Sequence, residues 1–342
     1  MECEHSNACK LSVIIPVYNS EFFLERCVCS LLSQTLREWV AIFVNDGSTD
    51  QSKTILEKYA ATDARITVVD KENGGAASAR NVGLDMVTTE YVTMLDADDV
   101  IQETMFEKML AVACRSNCDL VVVPSKVQQN NGCYMEQEYE RYGLIQEPAK
   151  FLFRNVYRGP VAKLYRRDII ERYKIRMPED MVMAEDYVFV VSYWTRSQSV
   201  YALSECLYRY EYAENPNSLI HRFCRKELPY SAYQKNAEAA WRVYRFLCSA
   251  EKNCIELSKW AYELYRDFWK MSLNSMRHLD LEEQRAALKS YVSVLEGDFG
   301  QHLTFFQRFF MYHRYPLVSR ILRSIKQILI KLKQIFRKFL SR

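Results

Sequence analysis

One stretch, Glu90 to Val100, constrains the fold of this chain more than any other. Its first half, Tyr91 to Leu95, is apolar and uncharged, which predicts a buried strand of an α/β sheet. The run stops at three carboxylates, Asp96, Asp98 and Asp99. Ligands collect at the carboxyl ends of strands in open α/β sheets, and acidic side chains there can hold a divalent cation that a phosphate bridges. Asp also caps helices and accepts turn amides, so the acidic turn alone leaves a purely structural role open.

Three further apolar runs precede this strand, and each ends in a turn of polar residues. They cover Leu11 to Val17, Val40 to Val44 and Ile66 to Val69. Amphipathic helices are predicted from Glu21 to Gln34 and from about Ser52. This alternation predicts an α/β fold with a mostly parallel sheet, flanking helices and a ligand across one edge of the sheet.

Two common nucleotide-binding folds are excluded by spacing. The third strand leads to Asn73-Gly74-Gly75, where small residues let the backbone approach a ligand, but no Gly-x-Gly-x-x-Gly follows the first strand. No P-loop sequence is present either. A dinucleotide-binding fold and a P-loop NTPase are therefore not expected.

Length, cysteine usage and the lack of long apolar segments predict a globular protein of the cytosol. At 342 residues, about half of them apolar, the chain is long enough for about two domains. The eleven cysteines match neither a zinc ribbon nor a redox pair, so we expect reduced thiols. The first residues lack the apolar core of a secretory signal, and nowhere do eighteen apolar residues run together.

Four motifs, taken together and in order, carry a resemblance to a known family. They are Ile15-Pro16-Val17-Tyr18-Asn19, Asn45-Asp46-Gly47-Ser48-Thr49-Asp50, Asn73-Gly74-Gly75 to Ala79-Arg80-Asn81, and Leu95-Asp96-Ala97-Asp98-Asp99. With these motifs the chain resembles the family 2 glycosyltransferases of GT-A fold, of the bacterial surface-polysaccharide type. Lys163 to Arg167 and Ala184 to Tyr187 also match that family, and the resemblance ends near Phe223.

The resemblance implies a nucleotide-sugar site at the strand ends. In similar enzymes the base is held by the turn after the first strand and by the Asp of Asp-Gly-Ser, which are Pro16, Tyr18 and Asp46 here. The other residues implied for nucleotide-sugar binding are Asn73, Arg80 and Asp96, which would contact the nucleotide, the ribose or the diphosphate.

The resemblance also implies a metal and a catalytic base. Asp98 would bind the Mg²⁺ or Mn²⁺ that neutralises the departing diphosphate. Asp186 would take the proton of the acceptor hydroxyl, and the adjacent Glu185 would raise the proton affinity of Asp186 by repulsion in a partly dry site. A Glu-Asp pair also fits the first turn of an ordinary helix. In-line attack on the donor would invert the anomeric carbon.

The function expected from these residues is metal-dependent, inverting transfer of a hexose. The donor would be a nucleotide-sugar, a UDP-sugar first, and the acceptor a hydroxyl of a glycan or a lipid-linked molecule at the cytoplasmic membrane face. No Gln-x-x-Arg-Trp and no transmembrane helix is found, so one sugar per encounter is expected. The alternative is a catalytically silent nucleotide-sugar-binding or scaffold subunit of a glycan assembly complex. Retention of Asp98 and Asp186 favours the enzyme, and no nucleic-acid partner is expected.

The remaining sequence suggests three regions. We expect a catalytic domain over 1–222, a helical appendage over 223–314 and a basic amphipathic helix over 315–342. The segment from Tyr208 to His221 is either a loop that closes over the diphosphate or an ordinary surface loop.

The last region pairs an apolar seam with an unbalanced positive charge. From Tyr315 onward no acidic residue occurs, which suits an anionic membrane surface and a peripheral location on the inner face of the cell membrane. Packing against the helical region, or pairing with a second copy in a homodimer, stays open. The apolar positions are Val318, Leu322, Ile325, Leu329, Leu332, Phe336 and Phe339.

Overall fold

The computed structural model describes residues 10–128, 133–145, 148–156, 159–181, 185–211 and 232. In its first half, strands and helices alternate as the sequence predicts. The strands are β1 (Leu11–Val17), β2 (Trp39–Asp46), β3 (Ile66–Lys71) and β4 (Tyr91–Met94), and the helices are α1 (Glu21–Leu32), α2 (Ser52–Ala60) and α3 (Gly75–Met86).

The second half adds further helices and several short strands. The helices are α4 (Met105–Ser116), α5 (Pro148–Asn155), α6 (Arg167–Arg172) and α7 (Glu185–Trp194). The strands are β5 (Val100–Ile101), β6 (Leu120–Val122), β7 (Ser125–Gln128), β8 (Tyr134–Glu136), β9 (Gly143–Ile145), β10 (Lys163–Arg166), β11 (Val200–Ala202) and β12 (Tyr208–Tyr210).

The main sheet has eight strands in the order β3-β2-β1-β4-β10-β6-β11-β9. The β3-β2-β1-β4 half is parallel, as predicted. The other half is mixed, because β10 runs antiparallel to both β4 and β6. A second sheet, β5-β12-β7-β8, lies outside the sequence-based expectation.

Strand β1 is apolar apart from Ser12, and both of its faces are covered. Val13 and Ile15 belong to one apolar cluster, whereas Ile14 belongs to another. Helix α3 packs against Ile14 through Gly83, where an added Cβ would lie 2.4 Å from Ile14 Cγ2. The absence of a side chain at Gly83 therefore lets α3 lie close to the sheet.

The order of the strands changes direction at β1. The chain proceeds from β1 through β2 to β3 on one side and places β4 on the other, which is the kind of switch point where ligands bind in α/β sheets. The ladder between β1 and β4 ends where Leu95 N donates to Ile14 O at 3.1 Å. Pro16 follows and has no N–H to continue that ladder.

Several sequence-based expectations fall outside the described residues. They are the boundaries near 222 and 314, the helical appendage, the basic terminal helix and the part of the expected loop after residue 211. The start of that expected loop, Tyr208–Tyr210, is strand β12. Among the described residues, no helix is long and apolar enough to cross a membrane.

Candidate active site

Asp46, at the end of β2, organises the turn between β3 and α3. The strand register places it opposite Lys71, whose Nζ donates to Asp46 Oδ1 at 2.7 Å. The backbone N–H groups of Gly74 and Gly75 donate to Oδ1 and Oδ2 at 2.9 and 2.8 Å. Asp46 is only 2% exposed, and these three bonds leave it about one acceptor position for a nucleotide base. Its contact with the base stays a prediction.

The turns after β2 and β3 lie directly against each other. Asn73 is exposed, and its Nδ2 donates to the carbonyl of Asp46 at 2.9 Å. Gly47 has φ +69°, and a Cβ there would meet Asn73 N at 2.9 Å. The glycine of Asp-Gly-Ser is therefore required both by its left-handed backbone and by the close approach of Asn73.

The turn after β1 joins the same edge of the sheet. Asn19 has φ +48°, and its Oδ1 accepts the N–H of Thr49 at 2.8 Å. Asp50 accepts N–H groups from the first residues of both α1 and α2, at 3.0 and 2.9 Å. Tyr18, implied as a base-binding residue, is 52% exposed at this rim. The first two sequence motifs thus form one connected surface.

The three carboxylates after β4 have different surroundings. Asp99 is buried, where it accepts a hydrogen bond from the hydroxyl of Tyr208 and another from Glu211 N at 3.0 Å. Burial, together with the charges of Asp98 and Asp96, raises the pKa of Asp99 well above its usual range. These two hydrogen bonds join Asp99 to Tyr208 in β12 and to Glu211, which follows that strand. Asp96 and Asp98 are partly exposed.

Arg80, on α3, connects Asp96 with the pair at the start of α7. Its Nη2 lies 2.7 Å from Asp96 Oδ1 and its Nη1 lies 3.9 Å from Glu185 Oε1. The side chain is buried, and its Nε has no hydrogen-bond partner among the described residues. Arg80 therefore lies beside two acidic residues, Asp96 and Glu185. Its contact with phosphates stays a prediction.

Glu185 and Asp186 form the first turn of α7, and both have raised pKa values. Burial, followed by the charge of Asp186, raises the pKa of Glu185 to about 7, against the opposing effect of Arg80. Burial raises the pKa of Asp186 to about 6, while Arg80 and the N–H of Tyr187, 2.8 Å away, lower it. For Asp186, desolvation is the largest cause, and the repulsion that raises its pKa comes from Asp96; repulsion within the pair raises the pKa of Glu185 instead. The pair therefore titrates close to neutral pH.

Three polar residues near this site carry roles that sequence reasoning left unassigned. Lys71 orients Asp46, and its partner follows only from the strand register. Lys163 is fully buried, and its Nζ donates to the carbonyls of Gly159 and Val161 at 2.7 and 3.0 Å. Burial lowers the pKa of Lys163 to about 7, against the charge of Asp186. Its place in the Lys163 to Arg167 match to the family was the available sequence signal.

The third is Asn81, which follows Arg80 on α3. Its Oδ1 accepts the N–H of Met177 at 2.9 Å, and its Nδ2 donates to the Met177 carbonyl at 2.8 Å and to Glu179 Oε1 at 2.9 Å. These partners lie more than ninety residues further along the chain. Only its place in the Ala-Arg-Asn motif pointed to it.

The acidic turn fits a divalent cation. Across the described residues, no group of three or more His, Cys, Asp or Glu forms a metal site. Asp96 and Asp98 are partly exposed and offer carboxylate oxygens as metal ligands. Burial, together with their negative charges, raises the pKa of both Cys27 and Asp99. This negative potential suits Mg²⁺ or Mn²⁺, ions that bind through one or two carboxylates and take other ligands from water and phosphate.

Comparison of sequences places these features in a family. The model of glycosyl transferase family 2 matches residues 12–174. The chain is 36% identical over 233 residues to the uncharacterized glycosyltransferase EpsJ of Bacillus subtilis (strain 168), covering 64% of each protein. It is 30% identical over 237 residues to EpsH of the same strain, described as a glycosyltransferase, covering 66% of this chain and 68% of EpsH. The chain thus matches about two thirds of the length of these relatives.

Solved structures confirm the GT-A fold. The fold is similar to that of S. aureus TarS 1-349 in complex with UDP-GlcNAc, with a TM-score of 0.62 and 21% identity, covering 84% of this chain and 81% of TarS 1-349. The complex with UDP gives a TM-score of 0.59 and 22% identity over 80% of this chain and 77% of the other. With the predicted motifs, the family match and this fold in agreement, the chain belongs to glycosyltransferase family 2.

Proposed function

We propose that this chain transfers a sugar from a UDP-sugar to a hydroxyl of a glycan or lipid-linked acceptor, one sugar per encounter and with inversion. One observation carries the proposal. The buried guanidinium of Arg80 lies between Asp96, at the end of β4, and Glu185, at the start of α7. Asp96, implied for contact with the donor, and Glu185, adjacent to the implied base Asp186, therefore both lie close to the guanidinium group of Arg80.

The proposed base is Asp186. Its pKa of about 6 leaves it mostly ionised at neutral pH, yet basic enough to accept a proton as the acceptor hydroxyl attacks. Burial raises the pKa of Asp186, but the residue keeps some exposed surface, and an acceptor would reach it from that side. Attack opposite the leaving diphosphate produces the inverted configuration.

The donor would lie across the strand ends. Pro16, Tyr18 and Asp46 would hold the base, with Asn73 beside them. The Nε of Arg80 is a buried donor without a partner in the described part of the chain, and a diphosphate oxygen would satisfy it. The TarS structures, of the same fold, hold UDP and UDP-GlcNAc, which supports a uridine nucleotide as the first donor to test.

Asp98, with Asp96 beside it, would hold Mg²⁺ or Mn²⁺. When bound, the ion neutralises the charge that develops on the departing diphosphate. The residues of this chain then hold the donor, orient the acceptor and receive its proton. The basic sequence after Tyr315 supports an acceptor presented at the inner face of the cell membrane.

A screen of nucleotide-sugars for hydrolysis and transfer, with Mn²⁺ or Mg²⁺ and with EDTA, tests the proposal. We expect turnover of a UDP-sugar that EDTA abolishes, and a loss of orders of magnitude in Asp98→Asn with unchanged thermal unfolding. Full activity in EDTA would overturn the metal dependence. Tight binding of a nucleotide-sugar that no acceptor converts to turnover would support the silent scaffold subunit instead.

A further inference from the structure

Helix α3 holds the segment that leads to the proposed base, and Asn81 is its buried attachment. The side chain of Asn81 bonds both the N–H and the carbonyl of Met177, as a neighbouring strand would, and also bonds Glu179. Asn81 and Met177 are 8% and 2% exposed. Loss of the amide would leave two buried backbone groups of Met177 without the partners they have here.

Met177 and α7 belong to one apolar core and are close together in the chain. Met177 belongs to the same apolar cluster as Phe189 and Val190, which lie on the buried side of α7. Glu185 and Asp186 begin that helix only a few residues after Glu179. A displacement of Met177 would therefore be transmitted to the first turn of α7 through close-packed side chains.

The same segment has a second, exposed attachment to α3. Asp85, one turn beyond Asn81, accepts hydrogen bonds from Arg176 Nε and Nη2 at 3.0 and 2.8 Å. The Asp85 side chain is 66% exposed, so this ion pair adds little to stability. The two attachments contact adjacent parts of one segment, which makes Asp85 a matched control for Asn81.

We infer that Asn81 is a positioning residue, which sets the place of Glu185 and Asp186 relative to Arg80 by holding Met177; its expected kinetic effect rests on the proposed function. Arg80 and Asn81 are consecutive on α3, so the helix that carries the cation also fixes the backbone before the acidic pair. Arg80 lowers the pKa of both carboxyl groups, so moving the pair away from it changes their titration. An error of about 1 Å in such a position costs up to about a hundredfold in rate.

The test compares Asn81→Asp with Asp85→Asn. Asn81→Asp keeps an oxygen that accepts the N–H of Met177. It replaces the amide NH₂, which donates to Met177 O and to Glu179, with a second carboxylate oxygen. We expect kcat to fall about 10- to 100-fold, UDP-sugar affinity to change less than threefold, and the acidic limb of the pH profile to move to higher pH. Asp85→Asn should leave all three near the wild-type values. Adding Glu179→Gln to Asn81→Asp should recover part of kcat by restoring one donor.

Hydrogen–deuterium exchange separates this inference from the proposed function, because it needs no turnover. In Asn81→Asp, and in the smaller change Asn81→Ser, amides of residues 175–181 and of the first turn of α7 should exchange faster than in Asp85→Asn. Unchanged exchange at the start of α7 would overturn the inference, whatever the activity. Wild-type turnover with kcat and pH profile alike in Asn81→Asp and Asp85→Asn would also overturn it, and the proposed function would stand.

Discussion

At the scale of single residues, the guanidinium group of Arg80 interacts with several carboxylates. Arg80 pairs with Asp96 at 2.7 Å and approaches Glu185 at 3.9 Å, and its charge also lowers the pKa of Asp186. Burial acts in the opposite direction and is the larger cause at both Glu185 and Asp186. The balance leaves a carboxylate pair whose protonation changes in the physiological range.

The first prediction is a pH dependence of turnover and of stability. The base acts when ionised, so kcat should rise with pH on a limb whose apparent pKa lies between about 6 and about 7 and belongs to the pair. The folded pKa values exceed the ordinary values of 3.8 and 4.5, so the folded state binds more protons between about pH 4 and 7. The contribution of the pair to stability is therefore greatest at low pH and falls as the pH rises through that window.

Turnover from pH 5 to 8.5, at saturating donor, checks the first part. Urea unfolding of the wild type and of Asp186→Asn over the same range checks the second, because the variant lacks one of the titrating groups. A flat rate profile down to pH 5, or a limb near pH 4, would show that no raised carboxyl group limits turnover.

At the scale of secondary structure, α3 is the element on which the site depends. Its first residues bond Asp46, Arg80 lies near its centre, and Asn81 bonds the segment before α7. Its distance from β1 is set by Gly83, whose added Cβ would lie 2.4 Å from Ile14. The small residue at this position of the helix thus serves its packing against the sheet.

The second prediction is that Gly83→Ala destabilises the protein, although Ala is the better helix former. Ala gains about 1 kcal/mol in helix propensity, whereas overpacking costs about 1–3 kcal/mol. Ile14 is β-branched, buried and stiff at χ1, so its Cγ2 cannot move aside freely.

Urea unfolding of Gly83→Ala, Ile14→Ala and the double variant checks this packing. The double variant should be less destabilised than the sum of the two single changes, because Ile14→Ala makes room for the new methyl group. A Gly83→Ala protein more stable than the wild type, or strict additivity, would contradict the close contact between α3 and β1.

At the scale of the whole molecule, local sequence patterns predicted the parallel half of the sheet. They did not predict which strands pair when those strands lie far apart in the sequence. Strand β1 and the start of α2 lie as expected, because continuous apolar runs and polar turns report buried strands and helix starts directly. The antiparallel course of β10 and the second sheet depend on which strands meet, and short strands such as Ser125–Gln128 carry little periodic information.

The site shows the same division. Asp46, Asp96 and Asp98 could be predicted as candidates because they end or follow strands and occur in motifs. The pairing of Asp46 with Lys71 follows from register, and that of Asn81 with Met177 joins residues far apart in sequence. Roles that depend on tertiary contacts of this kind are not encoded in spacing.

The third prediction concerns the terminal sequence, which lies outside the described residues. Each Lys or Arg near an anionic bilayer contributes about 1 kcal/mol, and each buried CH₂ about 0.8 kcal/mol. The full-length protein should sediment with vesicles that contain anionic lipid and be partly released by high salt. A chain truncated after Tyr315 should stay in the supernatant and still hydrolyse its donor.

Zwitterionic vesicles serve as the control for that experiment, and sedimentation velocity reports the oligomeric state of both forms. If both forms bind anionic vesicles equally, the terminal sequence is not the membrane anchor. Loss of dimers or of folding on truncation would favour its pairing with a second copy or its packing against the helical region.

The central claim, that Asp186 accepts the proton in sugar transfer, is tested most directly by measuring donor affinity and turnover separately in Asp186→Asn. The amide preserves the shape of the carboxylate but cannot accept the proton, so calorimetry should give a UDP-sugar Kd within about twofold of the wild type, while kcat falls by about 10² or more. Glu185→Gln, one residue away, controls for the loss of a negative charge and should retain far more activity. If affinity and turnover fall together in Asp186→Asn, or if Glu185→Gln alone is inactive, Asp186 is not the base.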